Sequence, residues 1–542
     1  MGQHRLWIQA GAFILGMLAH SLYFRRGEHH LLPIRYIYAY GGSSSVLVAI
    51  MCYVQGISAV MAVRKALCPI SLHFLGLYCS LVCYRFLLHP LRCFPGPFGA
   101  RISGFWLSSK LLNQPLHQVL KELHDKYGPF VRIGPSELSI IHPQAVNIIY
   151  GFKSVCSKGS FYDLGFPIKS LHSQRNKTVH DQRRRVWSQG FSDKALRGYE
   201  KRAHAYRHKL INLIGSAGDG QAINISDYLN WYSYDVMGDL AFSKTFGMLD
   251  ASANHWAIQI LNNMLSPLEY SVPTWSLRLL ASIPGINGDF LRYEKFSHER
   301  LMIRMEIKPE TPDISSSLLD DLQGQAPTAE ELYQLLGDVE LIIAAGSDTT
   351  AVALIAVVYE LARYPEQVQK LRAELANCTP DPNGEYIHEK IASLPHLNGF
   401  INEALRLHSP IPSIIPRETP PEGIEIDGVY IPGEMTVSCP QWVIGRSEAF
   451  YSDAEKVIPE RWYKYPEMVK HKSAYAPFLT GPHACIGKPL GLMNMRTTVA
   501  RIIMTFEMRL LPDDDGTLVD KHMREHFSSF IEDIHVVFKK RA

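Results

Sequence analysis

Three groups of residues in this chain have the types and spacing to do chemistry, and the first holds a single cysteine. Phe478-Leu-Thr-Gly-Pro-His-Ala-Cys-Ile-Gly487 sets Cys485 four residues after Gly481 and two before Gly487. A deprotonated cysteine is a soft, strongly donating metal ligand. Glycines beside it let a loop turn tightly and aim backbone N–H groups at the sulfur, which keeps it ionised. A lone cysteine is more often a small buried hydrophobe. Here Phe-x-x-Gly-x-His-x-Cys-x-Gly fixes five positions, the cysteine included, and Lys488-Pro-Leu-Gly-Leu-Met-Asn-Met-Arg496 starts a helix whose positive end faces the sulfur. The second group is Asp348 beside Thr349 in Ala345-Gly-Ser-Asp-Thr-Thr350. An acid and a hydroxyl inside an apolar helix are costly unless they are satisfied locally or move protons. Gly346 would permit a local widening of that helix, with a hydroxyl bonding the freed carbonyl. The third group is His180-Asp-Gln-Arg-Arg-Arg-Val-Trp187, in which His180 and Arg184 share one helical face and could grip an anionic ligand. A charged run is usually a solvated face. Arg183 and Arg185 point away from the pair, towards a basic surface suited to an acidic partner.

These groups need rigid elements to position them. Pro327-Thr-Ala-Glu-Glu331 reads as a capping box, with Thr328 as N-cap and Glu331 three residues on. The helical pattern then runs to Tyr364 and stops before Pro365, about 36 residues and about 54 Å, enough to cross a domain. Asp348 and Thr349 fall midway. Glu403-Ala-Leu-Arg406 lies on a helix with an apolar face of Leu397, Ile401 and Leu405. Val119–Tyr127 reads as a helix ended by Gly128-Pro129, and Phe130–Gly134 with Glu137–Ile141 as a hairpin of strands. The expected class is α+β, mainly α-helical, with a small β-sheet region.

Taken together, the three groups resemble the cytochrome P-450 family, the haem-thiolate monooxygenases. The resemblance covers about residues 85–542, with five motifs in the family's order. Two positions depart: His483 stands where the family usually has Arg, and Leu479 where a small residue usually follows the Phe. The resemblance implies a cytochrome P-450 fold and haem b, with Cys485 as the axial iron ligand, whose thiolate favours O–O cleavage. It implies that His180, Arg184, His483 and Arg417 of Pro416-Arg417 bond the haem propionates, and that Phe478 and Gly487 belong to the haem-binding loop. Asp348 and Thr349 would deliver protons over the haem. Glu403 and Arg406, with Arg461 of Pro459-Glu-Arg-Trp462, match the family's buried Glu–Arg–Arg network, a device of specificity more than of stability. The substrate would be lined by Phe161–Leu171, Leu261–Ile283, Leu336–Thr349, Ser409–Ile415 and Phe527–Phe530, whose mostly apolar and aromatic makeup suits a lipophile held by shape.

The implied reaction inserts one atom of O2 into a C–H bond or an alkene. Electrons would come from NADPH through a separate flavoprotein, NADPH–cytochrome P-450 reductase, with cytochrome b5 as a further donor, since no Gly-rich dinucleotide or flavin motif is present. Tyr127-Gly-Pro-Phe-Val-Arg-Ile-Gly-Pro135 is similar to fungal secondary-metabolism members, which suggests a terpenoid, polyketide or alkaloid substrate. Two rivals stand beside this reading. A haem-thiolate isomerase or dehydratase would need no reductase and no Asp348–Thr349 relay. A non-catalytic haem-binding protein would show no substrate-induced spin-state shift.

With 542 residues the chain exceeds a usual single domain. A net charge of +3 gives no case for nucleic acid. The nine cysteines form no CxxC pair and no disulfide framework, which fits a reducing compartment. Residues 6–24, 36–63 and 66–84 are uncharged or nearly so and reach spanning length, which predicts a three-helix membrane anchor over 1–93 ahead of a catalytic domain over 94–542. His89-Pro-Leu-Arg-Cys-Phe-Pro-Gly-Pro-Phe98 is the stiff joint between them. Arg85, Arg92 and Arg101 after the third span favour a cytoplasmic catalytic domain at the endoplasmic reticulum, while Arg64-Lys65 would then lie on the far side. Asn176, Asn224 and Asn377 sit in glycosylation triplets that are common by chance.

Overall fold

Three long helices carry the apolar runs of the N-terminal region in the computed structural model of the protein, which describes residues 2–283 and 285–541. α1 (Gly2–Leu18) continues as a π-helix over Ala19–Phe24, α2 spans Pro33–Gln55 and α3 Ala59–Cys83. Segments long and apolar enough to cross a membrane are Leu6–Phe24, Pro33–Gln55 and Ala59–Leu88. The first coincides with the expected 6–24. The other two differ from 36–63 and 66–84 because backbone capping, rather than charge, sets their limits. Gly56 takes a left-handed φ of 59° and ends α2, and the Ser58 hydroxyl accepts from the Met61 N–H to start α3. Arg64 and Lys65 therefore lie inside α3, where Lys65 Nζ donates back to Gln55 Oε1 at 3.1 Å.

α1 and α3 meet backbone to backbone. A methyl group on Gly16 would stand 1.9 Å from the His73 carbonyl oxygen, and one on Gly76 2.0 Å from that of Phe13. Such small-residue contacts hold helices together in lipid. His20 Nδ1 and Ser80 Oγ add a hydrogen bond of 2.8 Å across the pair.

After the proline-rich joint, α4 (Leu116–Tyr127) begins three residues before the expected Val119 and ends at Gly128. β1 (Phe130–Gly134) and β2 (Glu137–Ile140) form the expected antiparallel hairpin. α5 (Lys177–Gln189) starts at Asn176, whose side chain accepts from the Val179 N–H, and α6 (Ile225–Phe242) starts at Asn224 in the same way. Two of the three glycosylation triplets are thus helix caps. α7 (Thr274–Ala281) is short and half-exposed.

α8 (Ala329–Arg363) is the long helix. Its capping box is complete, with Thr328 Oγ1 accepting from the Glu331 N–H and the Glu331 carboxylate from the Thr328 N–H. It has the length and hydropathy of a membrane span, yet 67% of its apolar window is buried, which makes it the core helix. α8 is α-helical throughout, so the widening expected at Gly346 is absent. The missing Cβ serves packing instead: a methyl group there would come 2.5 Å from Met237 Cε on α6. Ser233 Oγ also donates to the Ser347 carbonyl across the same crossing, at 2.7 Å.

α9 (Pro395–Leu407) packs on α8. β3 (Arg417–Glu418) pairs antiparallel with β4 (Thr436–Ser438), which runs parallel to β2, giving a sheet of order β1-β2-β4-β3. α10 (Lys488–Thr505) follows the cysteine loop, and β5 (Met523–His526) with β6 (Ser528–Ile531) makes a hairpin turned at Phe527. The class is mainly helical α+β, as expected.

Candidate active site around Cys485

The cysteine loop closes on itself, the Cys485 N–H donating to the Phe478 carbonyl at 2.8 Å. Gly481 is irreplaceable in this geometry, with a φ of 71° and room for no Cβ, which would lie 2.2 Å from the Tyr150 carbonyl oxygen. Gly487 has an ordinary φ of −79° and caps α10. Leu479 takes a left-handed φ of 55°, a strained state for a branched side chain, and this is one of the two positions where the loop departs from the resembling pattern. Burial pushes the Cys485 thiol up, while the backbone N–H groups of Gly487 and Lys488 and the Arg184 charge pull it down. Cys485 keeps open surface although protein encloses it, so its sulfur faces a space inside the fold.

Around that loop the structure gathers cations with little to balance them. His483 Nδ1 and His180 Nε2 lie 3.1 Å apart, and His180, 2% exposed, turns its other nitrogen to Asp181 Oδ1 at 3.0 Å. Arg417, on β3, donates to the Tyr162 hydroxyl and to the Pro416 carbonyl. Lys158, 5% exposed, donates to one group, the Leu171 carbonyl at 3.3 Å. Burial together with Arg417 and Arg184 lowers Lys158 to about 7. Burial, Lys158, Arg417 and His180 lower His483 to about 2, and burial with the same three neighbours lowers His172 to about 3. Buried like charges repel unless something negative sits among them. The donor set fits the two carboxylates of a haem, and beside it stands Cys485, whose sulfur as a thiolate could hold the iron.

Of the site residues expected from the sequence, His180, Arg184, Arg417 and His483 lie together beside the Cys485 loop, with additions. Lys158 and His172 were not foreseen, since they lie in irregular stretches with no periodicity to mark them, and Tyr162 was expected only as part of the substrate-lining Phe161–Leu171. Arg183 is a correction. It does not face a surface partner but donates to Asp338 and Gln334 of α8, and Trp187 Nε1 donates to the same Asp338 at 3.1 Å. A buried carboxylate, 0% exposed, needs those donors.

The acid and the hydroxyl on α8 part company. The Asp348 carboxyl accepts from the Tyr234 hydroxyl on α6, and burial lifts it to about 6 against the lowering effect of that bond. Thr349, about 100° further round the helix, is half-buried and donates to the Ala345 carbonyl at 2.8 Å. Ala345 itself keeps open surface in the middle of a buried helix. Glu403, Arg406 and Arg461, none more than 2% exposed, form the expected network: Glu403 Oε1 accepts from Arg406 at 2.7 Å and from Arg461 at 2.9 Å, and Trp462 Nε1 donates to Oε2 at 2.9 Å.

The cytochrome P450 family profile matches residues 95–533. The chain belongs to the cytochrome P450 family. A cytochrome P450 monooxygenase of Aspergillus versicolor is 53% identical over 529 residues, covering 98% of this chain and 97% of that one. A tryprostatin B 6-hydroxylase of Neosartorya fischeri is 50% identical over 547 residues, covering 98% of both chains, and one of Aspergillus fumigatus is equally similar. Among solved structures, the cytochrome P450DA haem domain superposes with a TM-score of 0.67 at 17% identity, over 80% of this chain and 94% of that one, which shows the fold. The protein is accordingly a P450 monooxygenase, an oxidoreductase, and its fold class is the one read from the sequence.

Proposed function

We propose that this P450 is a membrane-anchored hydroxylase of a lipophilic secondary metabolite, a compound of the kind represented by tryprostatin B. The balanced reaction is substrate–H + O2 + NADPH + H⁺ giving substrate–OH + H2O + NADP⁺, with electrons passed by a separate NADPH–cytochrome P-450 reductase and cytochrome b5 as a second donor. The observation that carries the substrate class is full-length similarity, 50% over 98% of both chains, to a tryprostatin B 6-hydroxylase. The aromatic walls support it: Phe161 stacks on Phe527 at 5.6 Å and 23°, and His172 meets Phe527 edge-on at 5.1 Å.

Cys485 would hold the iron of haem b, and Lys158, His180, Arg184, Arg417 and His483 its carboxylates, with Phe478 and Gly487 in the loop beneath. The bound haem supplies the oxygen-activating redox chemistry. The chain's own part is to orient and to move protons. Thr349 presents a hydroxyl on the open side of α8, while Asp348, held by Tyr234, is an acid poised near neutrality behind it. The presence of both Asp348 and Thr349 favours a monooxygenase over an isomerase, which needs no proton relay. Glu403, Arg406 and Arg461 are structural.

We assign residues 1–93 to a three-span anchor and 94–542 to the catalytic domain at the endoplasmic reticulum, facing the cytoplasm. The test is incubation of membranes holding the chain and a fungal reductase with tryprostatin B, NADPH and isotopically labelled O2. One labelled oxygen in an NADPH-dependent product supports the reading. Turnover without NADPH, or no product from tryprostatin B and a panel of related lipophiles, contradicts it.

A further inference from the structure

The loop joining the first two membrane helices, residues 25–32, lands on the catalytic domain. Arg175 donates to both carboxylate oxygens of Glu28, at 2.8 and 2.6 Å, and also to Asp163 Oδ2 and to the Lys158 carbonyl. His30 Nε2 lies 3.0 Å from Asp163 Oδ2, with both side chains 9% exposed. The loop is braced for this contact. His29 bonds the Tyr36 hydroxyl and the Arg26 carbonyl and packs among Tyr23, Phe24 and Tyr36. Arg175 stands between the two carboxylates and bonds both.

What the loop grips is the stretch that begins the aromatic wall. Asp163 follows directly on Phe161 and Tyr162, and the carbonyls of Asp163, Leu164 and Phe166 all accept from Arg278 of α7. α7 in turn packs against α2. The surface beside α7 is apolar and open, with Trp275, Leu280, Ile283 and Ile286 exposed. A lipophile leaving the bilayer would meet this face first. One spanning helix already anchors a domain in effect irreversibly, so α1 and α2 are not needed for attachment.

We infer that residues 25–32 form a clasp on the substrate entrance, in which Glu28 and His30 are positioning residues that hold Ser160–Phe166 and so limit how fast a lipophile passes from the membrane to the haem pocket. The inference rests on the membrane-bound haem reading above. It requires the loop to share a side of the membrane with the catalytic domain, and three spans satisfy that.

The test uses the full-length holoprotein in phosphatidylcholine nanodiscs, with 4-phenylimidazole as the probe of access to the haem. The Glu28→Ala/His30→Ala double variant removes the loop's side-chain contacts with Arg175 and Asp163. Amide exchange over residues 160–167 and the on-rate of the azole should each rise about tenfold, since about 1.4 kcal/mol is tenfold, with haem content and the ferrous–CO band unchanged. Arg175→Ala should produce the same effect from the catalytic side, and combining it with the double variant should add less than the sum, because the three share one network. Unchanged exchange and on-rates, or full additivity, would overturn the clasp. Failure of the haem reading looks different: wild type itself would give no azole-induced band shift, and the proposal would fall with it.

Discussion

Replacing Asp348 with asparagine should make the protein more stable at neutral and alkaline pH and leave it unchanged in acid. The carboxyl is enclosed and held by Tyr234, and burial lifts it from an ordinary 3.8 to about 6. A rise of about 2 units, at about 1.4 kcal/mol each, means that ionised Asp348 costs the folded state about 3 kcal/mol. The sign follows from linkage. A raised carboxyl contributes stability that is fully present below pH 3.8 and lost as the pH climbs through about 6. Asparagine has the shape of the neutral acid, still accepts from the Tyr234 hydroxyl, and does not titrate. Urea unfolding of the detergent-solubilised chain, followed by tryptophan fluorescence at several pH values, measures the difference. The variant should gain up to about 3 kcal/mol above about pH 7 and converge with wild type below about pH 4. Equal midpoints in alkali, or a gap that does not close in acid, would refute the argument. The same variant should convert less substrate per NADPH, since proton delivery contributes about 10²–10⁴ in rate. Stability gained with coupling lost is what a strained, working acid produces.

The cationic cluster gives a second test. His483→Arg should hold haem at least as tightly as wild type, and His483→Ala and Lys158→Met should release it faster to apomyoglobin. Identical transfer rates for all four proteins would remove His483 and Lys158 from the cofactor. Arg461→Leu leaves Glu403 buried and undercompensated, so the holoprotein should lose about 3–5 kcal/mol of stability; a shift under about 1 kcal/mol in the urea midpoint would show that the network is dispensable. The full-length chain should stay in the pellet on alkaline carbonate extraction, and its recovery in the supernatant would contradict the three-span anchor.

The long helix and the cysteine loop were legible because their signals are local. Thr328 and Glu331 cap one end of α8 and Pro365 closes the other, and four fixed positions, Phe478, Gly481, His483 and Gly487, surround Cys485. The ends of the second and third spans were misplaced because hydropathy and charge were weighed above capping, although Gly56-Ile-Ser58 spells a left-handed stop followed by an N-cap. Other features lie in tertiary contact and leave no mark in a single sequence. Gly16 and Gly76 matter only because their helices meet. Gly346 makes room for Met237 rather than for a widened turn. Helical phase separates Asp348 from Thr349 but does not say which of them faces Tyr234. Arg183 looked like surface charge, since nothing local reveals the buried Asp338 it satisfies. Lys158 shows its role only when Arg417, 259 residues further along the chain, is brought beside it.

The measurement that bears most directly on the whole account is the ferrous–CO spectrum of Cys485→Ser against wild type in the same membranes. Wild type should show the red-shifted band of thiolate-ligated haem. The serine variant, with Gly481 and the propionate cluster untouched, should lose that band. A red-shifted band that survives the substitution would mean that another residue ligates the iron, and the site built here around Cys485 would be wrong.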